Sequence, residues 1–272
     1  MSAPRPQAAG TPPAGGEAGR AERPLAGVRV LLAEDSAANR RFIAFCLERA
    51  GASVTAVEDG RQLVQALTVG GPDREALADP SPADLVLTDV EMPGMDGYAA
   101  TRLLRGLGCA LPIVALTART DPGEAERCLA AGCDAHGAKP VDPAKLLALC
   151  VQILGRAAGG DAPDGGPPAA GAAAPLRSEL ADDPEMRELV REFVAGLAEH
   201  AQALRASFEA NRLDELASRA HQLKGAGASF GFRPITDTAR EVEARARGAA
   251  DRAALGEALE RLIALCHAAL AT

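Results

Sequence analysis

The sequence predicts two units of different class, an open α/β sheet followed by an all-α bundle. Short apolar runs alternate with helical patterns through the first part of the chain, which argues for a parallel sheet covered on both faces. The last part shows no strand signal and four amphipathic helical patterns, which argues for a bundle. Between them runs a stretch of Pro, Gly and Ala, "GRAAGGDAPDGGPPAAGAAAP". The expected boundaries are a disordered tail over 1–25, an α/β domain over 26–155, a flexible linker over 156–175 and a helical domain over 176–272.

The strands are expected at "VRVLLAED" (Val28–Asp35), "SVTAV" (Ser53–Val57), "DLVLTD" (Asp84–Asp89), "PIVALT" (Pro112–Thr117) and, more weakly, "AHGAK" before Pro140. Their near-continuous apolar character fits burial on both faces. Helices are expected near Ala37–Ala50, Gly60–Thr68, Gly97–Leu107, Pro122–Ala131 and Pro143–Ile153. The stretch Thr68–Ala83 reads as a solvated insertion. In the bundle, Met186, Val190, Phe193, Leu197, Leu204 and Phe208 recur at helical spacing after Asp183-Pro184, with Asp183 as cap and Pro184 at the first position. A second helix is expected from Leu213 to Phe230. Ile235, Ala239, Val242 and Ala246 mark a third, and Leu255, Leu259, Leu262 and Cys266 a fourth.

The composition narrows the function. A formal charge of −8 with no basic tract argues against nucleic acid as a partner. The six cysteines form no CxxC pair or zinc spacing and read as small buried hydrophobes. With no signal-peptide core and no run of roughly 18 apolar residues, no membrane insertion is expected and a cytoplasmic protein is.

Ligands in an open α/β sheet collect outside the carboxyl ends of the strands. With strand order 2-1-3-4-5, Glu34 and Asp35 (first strand) fall beside Asp89 (third), Thr117 (fourth) and Lys139 (fifth). Each alone would be an ordinary cap or surface residue; five at successive strand ends form a constellation. Three clustered carboxylates repel, and a divalent cation relieves them; oxygen ligands suit Mg²⁺. An Asp beside Mg²⁺ can attack phosphorus to form an acyl phosphate, with Lys139 and Thr117 supplying donors to the phosphoryl oxygens.

"LLAEDSAANR", "LVLTDVEMPGMDGYAATR", "IVALTA" and "GAKPV" together resemble the receiver domain of two-component response regulators, over about Gly27–Gly155. The resemblance implies a flavodoxin-like fold, Asp89 as phosphoacceptor, and Glu34, Asp35, Asp89 and the backbone carbonyl of Glu91 as Mg²⁺ ligands. It also implies phosphoryl contacts from Thr117 and Lys139 and a cis bond before Pro140. His136 stands where many receivers carry an aromatic that switches with this Thr.

The stretch "RAHQLKGAGASFGF" reads as helix yet carries Gly225, Gly227 and Gly231. A helical glycine costs about 1 kcal/mol relative to alanine. The expected gain is a surface stripped beside His221 so that another backbone can approach the imidazole. Lys224 lies one turn away on the same face. "AHQLKGAGASFGF" resembles the histidine-containing phosphotransfer (HPt) domain, which implies His221 as phosphoacceptor, Lys224 as charge partner and Gly225 as room for a docking receiver. His200 and His267 read as ordinary amphipathic positions.

The two resemblances imply a phosphorelay intermediate, similar to the C-terminal half of hybrid sensor kinases. No ATP lid or P-loop is seen, so the chain is expected to be a phosphotransfer protein and not a kinase. Its expected partners are an upstream histidine kinase and a downstream response-regulator receiver. Two alternatives stand beside it, a phosphate sink running from His221 to Asp89 and an interaction module without relay. A linker of about 20 flexible residues spans ~25 Å, and such tethers give millimolar effective concentrations.

Overall fold

This computed structural model describes residues 23–69, 76–118, 122–157, 178, 180, 184, 186–248 and 251–270. The expected tail up to residue 22 and nearly all of the expected linker lie outside the described residues; the end of the tail is corrected, since Leu25 is fully buried in the core and its N–H donates to Ala50 O at 2.9 Å.

The α/β domain runs β1 (Arg29–Ala33), α1 (Ala37–Arg49), β2 (Ser53–Val57), α2 (Gly60–Leu67), β3 (Thr68–Val69), β4 (Ala76–Leu77), β5 (Leu85–Asp89), α3 (Gly97–Gly106), β6 (Ile113–Thr117), α4 (Pro122–Ala131), β7 (Ala135–Ala138) and α5 (Pro143–Ala157). The main sheet has the order β2-β1-β5-β6-β7, all parallel, which is the expected 2-1-3-4-5 order of its five strands. Strands β5 and β6 are buried throughout, whereas β2 and β7, at the edges, are half-exposed. Alternation within the strands divides the core. Val30, Leu32, Leu85, Leu87, Val114 and Leu116 face α1 and α5, and Leu31, Ala33, Val86, Ile113 and Ala115 face α2, α3 and α4. Ser36, Asp59 and Asp96 cap α1, α2 and α3 as side-chain acceptors.

The insertion after α2 departs from expectation. Thr68–Val69 and Ala76–Leu77 pair antiparallel, and Leu77 packs on the apolar cluster under α2. Leu77 supplies that anchor, whereas Val69 on the other arm is exposed.

The helical domain contains α6 (Arg187–Glu209), α7 (Leu213–Ser229), α8 (Arg233–Arg247) and α9 (Arg252–Leu270). Each packs on the next and α9 returns to α6. Val190, Phe193, Leu197, Ala201 and Leu204 form the buried stripe of α6, with buried Met186 just before the helix and the expected Phe208 only partly buried. The start of α6 is corrected. Pro184 lies in a turn, the helix begins at Arg187 and Met186 precedes it without a side-chain cap; Asp183 lies outside the described residues. The apolar stripe begins at Met186, and packing of that stripe sets the start in place of the proline signal.

The two domains share one apolar core. Phe42 of α1 meets Phe230 of the bundle edge-on at 5.4 Å, and Phe230 stacks on Phe193 at 4.6 Å. All six cysteines are buried and free. Among the described residues, no helix is long and apolar enough to cross a membrane.

Candidate functional site

The sheet register levels the strand ends on which the site is built. Ala33 pairs with Thr88, Asp89 with Leu116 and Thr117 with Ala138, so the residues at or just past these ends sit side by side. Glu34 and Asp35 follow β1, Asp89 closes β5 and Lys139 follows β7. The Lys139–Pro140 bond is cis, as expected.

Oxygen atoms of Glu34, Asp35 and Asp89 lie within 4.8 Å of one another. Glu34 and Asp89 are buried, and Lys139 Nζ stands 2.7 Å from both Glu34 Oε2 and Asp89 Oδ2. One buried ammonium is thus shared between two buried carboxylates, and Asp35 stands beside them. Burial pushes the Asp89 carboxyl up to about 7; Lys139 opposes this, and Glu34 and Asp35 add to it. Burial alone would lower Lys139, but the carboxylates of Glu34 and Asp89 outweigh it and raise it. One cation against three carboxylates leaves the pocket short of positive charge. Its all-oxygen donor set fits a hard divalent cation such as Mg²⁺. The Glu91 backbone N–H donates to Asp89 Oδ1 at 3.1 Å, and the Glu91 side chain turns to the other domain.

Thr117 Oγ1 donates to Glu124 Oε1 at 3.2 Å, and Tyr98 OH donates to the same oxygen at 2.7 Å. Glu124 is 2% exposed. His136 lies on the exposed side of edge strand β7. The sequence reading missed Glu124 and Tyr98, although Tyr98 stands inside the quoted motif.

His221 on α7 is 9% exposed, not the accessible side chain the sequence reading expects. Its Nδ1 lies 2.9 Å from Glu243 Oε1 on α8, 3.2 Å from Lys224 Nζ and 3.4 Å from Glu91 Oε2. With a carboxylate at 2.9 Å, Nδ1 carries the proton and donates, which leaves the lone pair on Nε2. Lys224 Nζ donates to Glu243 Oε2 at 2.7 Å, and Arg247 reaches Glu243 at 2.9 Å and Glu91 at 3.6 Å. Burial works against the charge of Glu243, yet the hydrogen bonds from His221 and Lys224 hold its carboxyl down at about 2. The sequence reading missed Glu243. Its signal was a carboxylate set inside the apolar stripe of α8, next to Val242.

The three glycines have three separate roles, where the sequence reading gave them one. A Cβ on Gly225 would come within 2.8 Å of Asn39 Nδ2 on α1, so this glycine admits the other domain. A Cβ on Gly227 would meet Thr236 Oγ1 at 3.0 Å and Ile235 Cγ2 at 3.3 Å, so this one lets α7 and α8 approach. Gly231 has φ +72° and turns the chain out of α7.

A single cavity of about 90 Å³ joins the two sets; Glu34, Asp35, Asp89 and Lys139 line it from one side and His221, Lys224 and Gly225 from the other. That is room for several waters, and hence for a phosphoryl group. Gln222, beside His221, donates from Nε2 to Asp35 Oδ2 at 2.7 Å. The structure therefore brings every expected site residue except Thr117 and Glu91 to this cavity wall. Asn39 also lines it, donating to Glu34 at 3.2 Å.

The family described as response regulator receiver domain matches residues 30–150, and the Hpt domain matches residues 188–272. The chain is 40% identical over 121 residues to the two-component response regulator ORR41 of Oryza sativa subsp. japonica, covering 44% of this chain and 88% of that protein. It is 37% identical over 161 residues to histidine kinase 1 of Arabidopsis thaliana, covering 50% of this chain and 13% of that protein. Identity to the sensor histidine kinase GacS of Pseudomonas protegens is 31% over 216 residues, covering 73% of this chain and 22% of that protein. The chain thus spans less than a quarter of the length of these two kinases. Among solved structures, the receiver domain of sensor histidine kinase PA1611 of Pseudomonas aeruginosa PAO1 is 36% identical, with a TM-score of 0.42 over 48% of this chain and 99% of that chain.

Proposed function

The chain belongs to the two-component response regulators, as a receiver domain joined to an Hpt domain in a phosphorelay intermediate, and on that premise we propose that Asp89 and His221 are its two phosphoacceptors. The observation that carries this is the common cavity, in which the receiver carboxylates and the Hpt histidine face one space.

Asp89 accepts the phosphoryl group from a phosphohistidine of an upstream kinase. A carboxylate oxygen attacks phosphorus, the P–N bond breaks and an acyl phosphate remains. Glu34, Asp35, Asp89 and the Glu91 carbonyl would hold Mg²⁺, which when bound neutralises charge on the carboxylates and the phosphoryl oxygens. Lys139 is already placed at Asp89 and needs no rearrangement to meet the developing charge. Thr117 offers its hydroxyl after leaving Glu124. At His221, Glu243 fixes the tautomer and ring orientation and offsets the positive charge of a phosphorylated imidazole. Lys224, paired to Glu243, stands where it can also face phosphoryl oxygens. A downstream receiver of another protein is the final acceptor. The phosphoryl group comes from outside these two domains, so ATP with Mg²⁺ alone leaves the protein unlabelled.

Incubation with acetyl phosphate and Mg²⁺ tests the reading. Asp89→Asn should abolish labelling and His221→Gln should leave Asp89 labelled. Labelling of Asp89→Asn at wild-type level would refute the assignment.

A further inference from the structure

The face that α7 turns outward is covered in this molecule by its own receiver domain. We propose that the chain is its own docking partner, and that the seating of α7 on α1 is the complex in which His221 takes the phosphoryl group from Asp89 of the same chain. This rests on the reading of Asp89 and His221 given above.

Four contacts make the fit specific. Phe42 on α1 is fully buried against Phe230, in a stack that continues to Phe193. Arg41 reaches Glu192 of α6 at 2.8 Å. Gln222 binds Asp35, which ties the residue next to the histidine to the acid pocket. Asn39, held by Glu34, fills the space that Gly225 leaves. An apolar anchor, a rim ion pair and a hydrogen bond at the centre are the parts of a specific interface.

In the transfer, the Nε2 lone pair of His221 attacks phosphorus and the P–O bond to Asp89 breaks. The bonding pair returns to Asp89 as carboxylate, and the Nδ1 proton stays in its bond to Glu243. Nothing is oxidised and no further reactant is required. The docked state also shields both acceptors, since Asp89 is 2% and His221 9% exposed. A kinase or a downstream receiver must therefore meet the domains apart, and the chain alternates between a closed hand-off state and an open exchange state.

The test is a single-turnover chase of full-length protein labelled on Asp89, followed over about a hundredfold range of protein concentration. The expected rate is first order and unchanged across the range. Mixing labelled His221→Gln protein with Asp89→Asn protein should give transfer at least about tenfold slower at the lowest concentration. Gly225→Ala should slow transfer within the chain by about 10- to 100-fold, the cost of a misplacement near 1 Å. Asn39→Ala on the same chain should restore it towards the rate of Asn39→Ala alone. A rate proportional to concentration, or a mixture as fast as the intact chain, overturns the proposal. So does a Gly225→Ala defect that Asn39→Ala leaves unchanged. Absence of label on either residue would instead overturn the underlying phosphorelay reading.

A different observation carries a second inference. Buried Glu124 on α4 accepts from Thr117 and from Tyr98 of α3 on one oxygen, while its other oxygen has no hydrogen bond and Arg127 stands 3.3 Å away. We infer that Thr117–Glu124–Tyr98 reports phosphorylation to the α3–α4 face, in place of an aromatic at the position of exposed His136. When Thr117 turns to the phosphoryl group, Glu124 loses a donor in a buried setting and must rearrange against Tyr98. Tyr98 is the single tyrosine and there is no Trp, so its emission reads this site alone. Beryllofluoride with Mg²⁺ should change the tyrosine emission of the wild-type protein beyond the scatter of repeat spectra, through the altered hydrogen bond to Glu124. Glu124→Gln, checked for normal labelling of Asp89, should lose most of that change. An unchanged wild-type spectrum, or a full change in Glu124→Gln, overturns the inference.

Discussion

The acid pocket and the histidine site are both buried charge clusters, yet they are balanced in opposite ways. Around Asp89 stand two further carboxylates and one lysine, and burial lifts the Asp89 carboxyl to about 7. Around His221 stand two carboxylates, Glu91 and Glu243, answered by Lys224 and Arg247, and the Glu243 carboxyl is held down at about 2. The difference teaches which half asks for a metal. An excess of carboxylates is relieved by a bound cation or by taking up a proton, whereas the histidine site is neutralised by its own side chains.

The largest effect expected from this contrast is on metal dependence. EDTA should reduce labelling of Asp89 by acetyl phosphate by at least about 100-fold, the scale of losing a major electrostatic stabiliser. It should leave the folded bundle untouched, as thermal unfolding would record. Undiminished labelling in EDTA would break the comparison.

Lys139→Met should come next. Removing the one cation between Glu34 and Asp89 leaves buried carboxylates unpaired, a loss of about 3–5 kcal/mol. Mg²⁺ should recover more stability in this variant than in the wild type, measured as the shift in Tm. An equal shift in both would remove Lys139 from the charge balance.

Much of this contrast was legible in the sequence, for identifiable reasons. Strand-end residues are fixed by the register of a parallel sheet, so Glu34, Asp35, Asp89 and Lys139 could be placed together from strand order alone. The bundle stripes were equally plain because 3.6-residue periodicity is local. Glu243, Gln222 and Asn39 were not, since each acts across an element boundary that periodicity does not specify. The glycines show the same limit. Their helix cost was visible, but Gly225 faces another domain, Gly227 faces α8 and Gly231 adopts positive φ.

Leucine substitutions separate those roles. Gly227→Leu should destabilise the bundle by roughly 2 kcal/mol, because its side chain enters the contact with Ile235 and Thr236. Gly225→Leu should leave the bundle as stable as before and impair transfer. Calorimetry and transfer rates on the same preparations would detect a reversal of this pattern.

The last effect is a pH slope. Glu243 falls from 4.5 to about 2 on folding, so its contribution to stability is present above about pH 4.5 and is lost as pH falls through 2. The loss is on the order of 3 kcal/mol. Denaturant titrations between these values should show a steeper loss in the wild type than in Glu243→Gln, and parallel slopes would contradict the charge balance assigned to His221.

Asp89 and His221 line one cavity, and the chemistry of a bound phosphoryl group tells whether both accept it. Acyl phosphate is labile to hydroxylamine, whereas phosphohistidine is stable to alkali and lost in acid. After a pulse of acetyl phosphate with Mg²⁺, the wild-type protein should lose hydroxylamine-labile label as alkali-stable label grows in step. His221→Gln should show the first species alone. Alkali-stable label in His221→Gln at the wild-type level, or none in the wild type, would contradict the account.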